Sequence, residues 1–109
     1  MRVTLPIDLA KAESVLPDRK PDGSGVGINY LDALLKPVKL TLDDGRKLAF
    51  KRRGLKVTLT LGDRSGSGLL RRREHGPDPV AIVRAAIAEA AGNAGAALVV
   101  EGDALHLDC

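Results

Sequence analysis

The sequence predicts an α+β fold: a curved, mainly antiparallel sheet of about six or seven strands, one long helix (about residues 79–91) packed on one face, and a C-terminal β-hairpin. Three observations predict it. Apolar and polar residues alternate with period two at both ends of the chain and through its middle, as half-buried strands require. One segment, after Pro79, carries a long helical apolar stripe. The chain has 109 residues, enough for one core and too few for two, so residues 1–109 are expected to form a single domain.

Val3, Leu5, Ile7 and Leu9 alternate with Thr4, Pro6 and Asp8. Pro6 has no amide to give a ladder, so this strand belongs at an edge. Residues 17–27 mix Pro17, Pro21, Gly23, Gly25 and Gly27 with polar residues and read as a loop. A short helix capped by Asn29, with Leu31, Leu34 and Leu35 on one side, is stopped by Pro37. The middle then reads as four strands. A two-residue Asp44-Gly45 turn would put the apolar residues of the first two on opposite faces. A three-residue Asp43-Asp44-Gly45 loop with Gly45 left-handed keeps them together, pairing Leu40 with Leu48 and Val38 with Phe50.

Leu55, Val57, Leu59 and Leu61 alternate with Lys56, Thr58 and Thr60 as the next strand. Residues 62–68, rich in Gly and Ser, read as a flexible connection to Leu69, Leu70 and the arginine run. Asp78-Pro79 starts the helix: a carboxylate for the free amides, then a residue with fixed φ. Val80, Val83, Ile87, Ala90 and Ala91 form its stripe, flanked by Ile82 and Ala86, and Gly92-Asn93 ends it. Gly102-Asp103 then makes a type II′ turn, placing Leu98, Val100, Leu105 and Leu107 on one face and Val99 opposite His106.

Charge is segregated along the chain. Residues 36–73 hold twelve lysines and arginines against three aspartates, and residues 74–109 hold Arg84 alone against six carboxylates. A clustered field of this kind bears on partners in a way that the whole-chain charge of +3 conceals. The chosen register points Lys39, Lys47, Lys51 and Lys56 away from the core together with Thr41, Thr58 and Thr60, and Arg71, Arg72 and Arg73 extend the basic surface. The two rings, Tyr30 and Phe50, give no stacking platform, since Phe50 falls on the core side, so only phosphate contact without base reading is expected of nucleic acid. The same lysines and threonines are also the ordinary residues of a solvent-side strand, and the arginine run also serves to guard a sheet edge.

Other sites are thin. The 62–68 segment offers backbone amides with Arg64, Ser65 and Ser67 to an anion but lacks the Gly-Lys-Ser/Thr ending of a P-loop. His106, Asp108 and Cys109 are too few to close a metal site. His75 has only Glu74 beside it, and no serine sits in a nucleophile elbow. No catalytic residue, cofactor or metal is therefore expected. One cysteine and no apolar run long enough to cross a bilayer make a reducing, cytoplasmic setting the expectation, with no membrane partner; the alternating first nine residues do not read as a signal peptide. Ala81, Ala85 and Ala88 leave the far side of the helix small and apolar, as a packed interface wants, so a homo-oligomer is expected.

The function expected is a small non-enzymatic interaction module that self-associates and presents a basic sheet face to an acidic partner. The alternatives are a non-specific binder of nucleic-acid phosphates and a small enzyme whose site is assembled from distant residues.

Overall fold

The computed structural model describes residues 2–9, 35–70 and 79–109. The strands are β1 (Arg2–Asp8), β2 (Val38–Thr41), β3 (Lys47–Arg53), β4 (Lys56–Leu61), β5 (Arg64–Leu69), β6 (Ala97–Glu101) and β7 (Ala104–Asp108), with helix α1 (Pro79–Asn93) between β5 and β6. The fold is α+β with every strand pair antiparallel, but the strands divide into two sheets where one was expected. One has the order β1-β7-β6, the other β2-β3-β4-β5. The expected 17–27 loop, the Asn29 helix, Asp78 and Arg71, Arg72 and Arg73 lie outside the described residues.

The turns explain the four-stranded sheet. Gly45 is left-handed at φ 89°, Leu42 N donates to Arg46 O at 2.8 Å, and Gly45 N donates to Leu42 O at 2.9 Å. Val38 then faces Phe50 and Leu40 faces Leu48, as the three-residue loop requires. Asp44 reinforces it: Oδ1 accepts from Arg46 N at 3.0 Å and Oδ2 from Arg46 Nε at 2.6 Å. The other hairpins have two-residue turns that begin on a glycine with φ near +60°: Gly54-Leu55, Gly62-Asp63 and Gly102-Asp103. An L-residue pays for that conformation, and glycine does not. Leu55 is thus a turn residue, 59% exposed, not the first residue of a strand. At the C-terminus Leu98 faces Leu107 and Val99 faces His106, the expected register.

The main departure concerns residues 62–68. They are a turn and strand β5, not a flexible connection. Serine and glycine alternate there, so Ser65 and Ser67 face outward while Gly66 and Gly68 are buried against α1. A methyl on Gly66 would collide with Ala90 O and would lie 2.6 Å from Ala94 N; one on Gly68 would collide with Ala86 O. Ala86, Ala90 and Ala94 follow one another at intervals of four, so they make one ridge, and the helix backbone rests on the strand backbone there. Val83, Ile87 and Ala91 bury beside this ridge, while Val80 and Ile82 are half-buried. The helix runs to Asn93, two residues beyond expectation, and Gly92 lies inside it. Its stop is Gly95, left-handed at φ 83°, with Ala96 N donating to Ala91 O and Gly95 N to Gly92 O. This pair of bonds is the Schellman arrangement.

The same helix closes the free edge of β5. Glu89 Oε1 accepts from Leu69 N at 3.3 Å, and Asn93 Nδ2 donates to Ser67 O at 3.0 Å. These two contacts occupy edge groups that an added strand would need. At the other edge β1 approaches β2 without pairing, and an open space of about 280 Å³ lies between Arg2, Val3, Thr4 and Leu40, Thr41, Leu42, Asp43. β1 is an edge strand, as Pro6 implies, and its ladder to β7 slips between Leu5 and Asp8, the stretch containing Pro6. Both sheets and the helix feed one apolar cluster, including Leu5, Phe50, Leu59, Ile87, Leu105 and Leu107. Arg46 Nη2 also donates to Cys109 O at 3.2 Å, tying the β2–β3 turn to the end of the chain.

Two outcomes follow from this packing. Gly68→Ala should destabilise the protein by roughly 3 kcal/mol, the upper end of overpacking costs, because the obstruction is backbone and cannot rotate away; Ile87→Ala should cost about 2–5 kcal/mol through its cavity. Urea unfolding measures both, and a neutral Gly68→Ala would contradict the close approach. Asp44 is the second case: the Arg46 backbone amide, then its guanidinium, holds the carboxyl below its ordinary 3.8. A depressed folded-state value adds stability above the unfolded value, lost as pH falls through the folded one. Carbon-detected NMR should show Asp44 titrating below 3.8, and Asp44→Asn should remove that part of the acid dependence.

Candidate functional site

Strand alternation sorts the outer face of the four-stranded sheet. Lys39 and Thr41 come from β2, Lys47, Ala49, Lys51 and Arg53 from β3, Lys56, Thr58 and Thr60 from β4, and Ser65, Ser67 and Leu69 from β5. The cross-strand rows are Lys39–Ala49–Thr60–Ser65, Lys51–Thr58–Ser67 and Arg53–Lys56–Leu69. These twelve positions hold five cations and five hydroxyls and no carboxylate. Lys39, Lys47, Lys51, Arg53 and Lys56 are all exposed. Asp43, Asp44 and Asp63 stand in turns at one end of the sheet, and the opposite end carries Arg53, Lys56 and the exposed Leu55 and Leu69.

The structure thus brings Lys39, Lys47, Lys51 and Lys56 onto one surface. Arg53, not singled out from the sequence, joins them because it is two residues from Lys51 on the same strand. Arg52, its neighbour, points to the other face, where Nη1 donates to Gly54 O at 2.7 Å and braces the β3–β4 turn. Arg64 sits at the start of β5 beside Gly95, away from the outer-face serines, so the three side chains expected to cradle one anion do not converge. Ala49, with nothing beyond its Cβ, leaves a dip in the face. A depression of about 420 Å³ lies there, lined by Lys39, Leu40, Thr41, Lys47, Leu48 and Ala49. Leu48 among these is buried on the core side.

A second cluster escaped the sequence reading. On the outer face of the three-stranded sheet, Thr4 Oγ1 lies 2.9 Å from His106 Nδ1, and His106 Nε2 lies 3.8 Å from Glu101 Oε2. Arg2 Nη1 donates to Glu101 Oε1 at 2.8 Å. Thr4 and Arg2 reach His106 and Glu101 only because β1 pairs with β7 across nearly the whole chain, and no local motif signals that. His106 is mostly covered, while Glu101 is exposed and already neutralised by Arg2. The 3.8 Å separation is an ion-pair distance beyond hydrogen-bond range, so the set ties the sheet together and does not form a continuous proton relay. His106 therefore turns to Thr4 and Glu101 instead of joining Asp108 and Cys109 as ligands. Among the described residues no group of three metal-ligating side chains gathers. His75 lies outside them.

Ala81, Ala85 and Ala88 occupy the side of α1 opposite the buried ridge. Ala88 is exposed, and Ala81 and Ala85 are half-buried. No described helix is long and apolar enough to cross a membrane. Comparison with known proteins brings no match: no family model, no curated protein and no solved structure.

Replacing Lys39, Lys51 and Lys56 together with Gln should shift unfolding free energy by no more than about 0.5 kcal/mol per position, as expected for exposed residues away from caps and cores. Thermal melting checks it; a large loss would mean that these lysines serve the fold.

Proposed function

We propose that this protein is a small non-enzymatic interaction module, working in a reducing cytoplasmic compartment, that uses the outer face of its four-stranded sheet to meet an acidic partner. The observation that supports the reading is the composition of that face: five cations and five hydroxyl donors, with the carboxylates of the sheet's own segment, Asp43, Asp44 and Asp63, confined to turns. Chance scatter of a chain with 17 basic and 14 acidic residues would mix the signs. Segregation raises the local potential, speeds encounter with an opposite charge and repels basic surfaces.

Self-association belongs to the same proposal. The small apolar side of α1 at Ala81, Ala85 and Ala88 would let a second copy approach closely, and an exposed Ala88 fits such a contact.

Retention on immobilised polyglutamate and on immobilised heparin at about 50 mM salt, with release as salt rises toward about 500 mM, is the expected outcome, since surface attraction is screened over a few ångströms at high salt. Flow-through on both supports would refute the basic-face reading. Light scattering should give more than one subunit at micromolar protein in reductant, and Ala85→Glu should return the mass to one subunit without unfolding; a constant monomer mass would refute self-association.

A further inference from the structure

The outer face of the four-stranded sheet also indicates which acid it fits. A stable contact between proteins is anchored by apolar and aromatic side chains at its centre. The centre here is Ala49, Thr58 and Thr60, and the exposed leucines Leu55 and Leu69 stand at one end. Nucleic-acid interfaces have the opposite character: polar, strongly basic and wet, with most hydrogen bonds going from Lys, Arg, Ser and Thr to phosphate oxygens.

The geometry matches a repeating anion. β3 alone carries Lys47, Lys51 and Arg53 on this face, and its seven residues extend about 20 Å, enough to set these three cations against successive phosphates of one strand. Lys39 and Lys56 widen the track on either side. Toward the β2–β3 turn, the depression beside Ala49 is lined by Lys39, Thr41 and Lys47 together with Leu40 and Leu48, so two lysines and a threonine stand around it. A tetrahedral oxyanion takes that many donors, whereas a flat lysine field would offer it no seat. Among the described residues unpaired bases find nothing to stack on, because Phe50, the one Phe, Tyr or Trp ring there, is 1% exposed on the core side.

Resting on the anion-binding reading of this face, we infer that its partner is a nucleic-acid duplex, held through phosphates alone, with one phosphate seated over Ala49 between Lys39, Thr41 and Lys47. Binding is independent of base sequence, and its affinity falls with salt as each neutralised phosphate releases its counterions.

The test is fluorescence anisotropy with a labelled duplex of roughly 20 base pairs in two unrelated sequences, the matching single strand, and labelled polyglutamate, from about 50 to 200 mM salt. Both duplexes should bind equally and more tightly than the other two. Lys39→Gln/Lys51→Gln/Lys56→Gln should flatten the log–log salt slope by roughly 2.7, three contacts at about 0.9 each. Ala49→Leu keeps every charge and fills the depression, so it should weaken duplex binding about tenfold, the worth of one charge-assisted contact. Polyglutamate binding without duplex binding would overturn this inference and leave the acidic-partner reading standing. No binding to either at about 50 mM salt would overturn both. Tighter binding of the single strand, or an Ala49→Leu protein that binds the duplex undiminished, would overturn the phosphate seat.

Discussion

The contact between β5 and α1 is the constraint on which the remaining architecture depends. Gly66 and Gly68 present bare backbone, and Ala86, Ala90 and Ala94 present almost nothing more, so helix and strand meet at backbone distance. That closeness gathers Val83 and Ile87 into one buried cluster with Val57 and Leu59, fills the core with aliphatic side chains, and removes the need for large aromatics that the chain hardly possesses. It also places Glu89 and Asn93 over the open edge of β5. A strand that is weak by composition is thereby made an interior element, paired on one side by β4 and covered on the other by the helix. The conformational entropy lost in ordering two glycines is offset by contacts that any larger residue would prevent.

Fixing β5 fixes the sheet's sidedness. With its glycines turned to the helix, its serines must face outward, and the antiparallel register carries that choice through Thr58 and Thr60, Lys51 and Ala49, to Lys39. The cationic surface is thus a product of packing on the opposite face. The apolar residues of each strand are claimed by the core, and the alternating remainder is lysine and hydroxyl. The carboxylates of this stretch are excluded from it because they form the turns, where Asp44 holds the Arg46 amide and guanidinium. Among the described residues the other carboxylates are Glu89 on the helix and Asp8, Glu101, Asp103 and Asp108 in the three-stranded sheet and its turn, where Glu101 is held by Arg2.

Much of this was legible because the deciding interactions are local. The Asp43-Asp44-Gly45 loop could be chosen over a shorter turn since only one register keeps Leu40, Leu48, Val38 and Phe50 on one face. Gly102-Asp103 and the Pro79 helix start follow from the same short-range rules. Residues 62–68 were misread because glycine and serine weigh toward linker when counted, although their strict alternation, matched to Ala86, Ala90 and Ala94 at intervals of four, is the pattern of a strand under a helix. The division into two sheets was out of reach: it depends on β1 joining β7 from the far end of the chain and on α1 covering the β5 edge. The Thr4–His106–Glu101–Arg2 cluster was hidden for the same reason, since Thr4 and His106 are 102 residues apart. The lysine face follows from parity alone, but the depression beside Ala49 emerges only when β2 and β3 are set side by side.

Native-state hydrogen exchange at the Gly66 and Gly68 amides tests the central contact most directly. By alternation with Leu69, whose amide turns outward to Glu89, these two amides point into the ladder with β4 beneath α1. They should exchange as slowly as those of Ile87 and Ala90 in the helix, opening only when the whole molecule unfolds. Exchange of Gly66 and Gly68 at the rate of an unstructured peptide, while the Ile87 and Ala90 amides stay protected, would contradict the account.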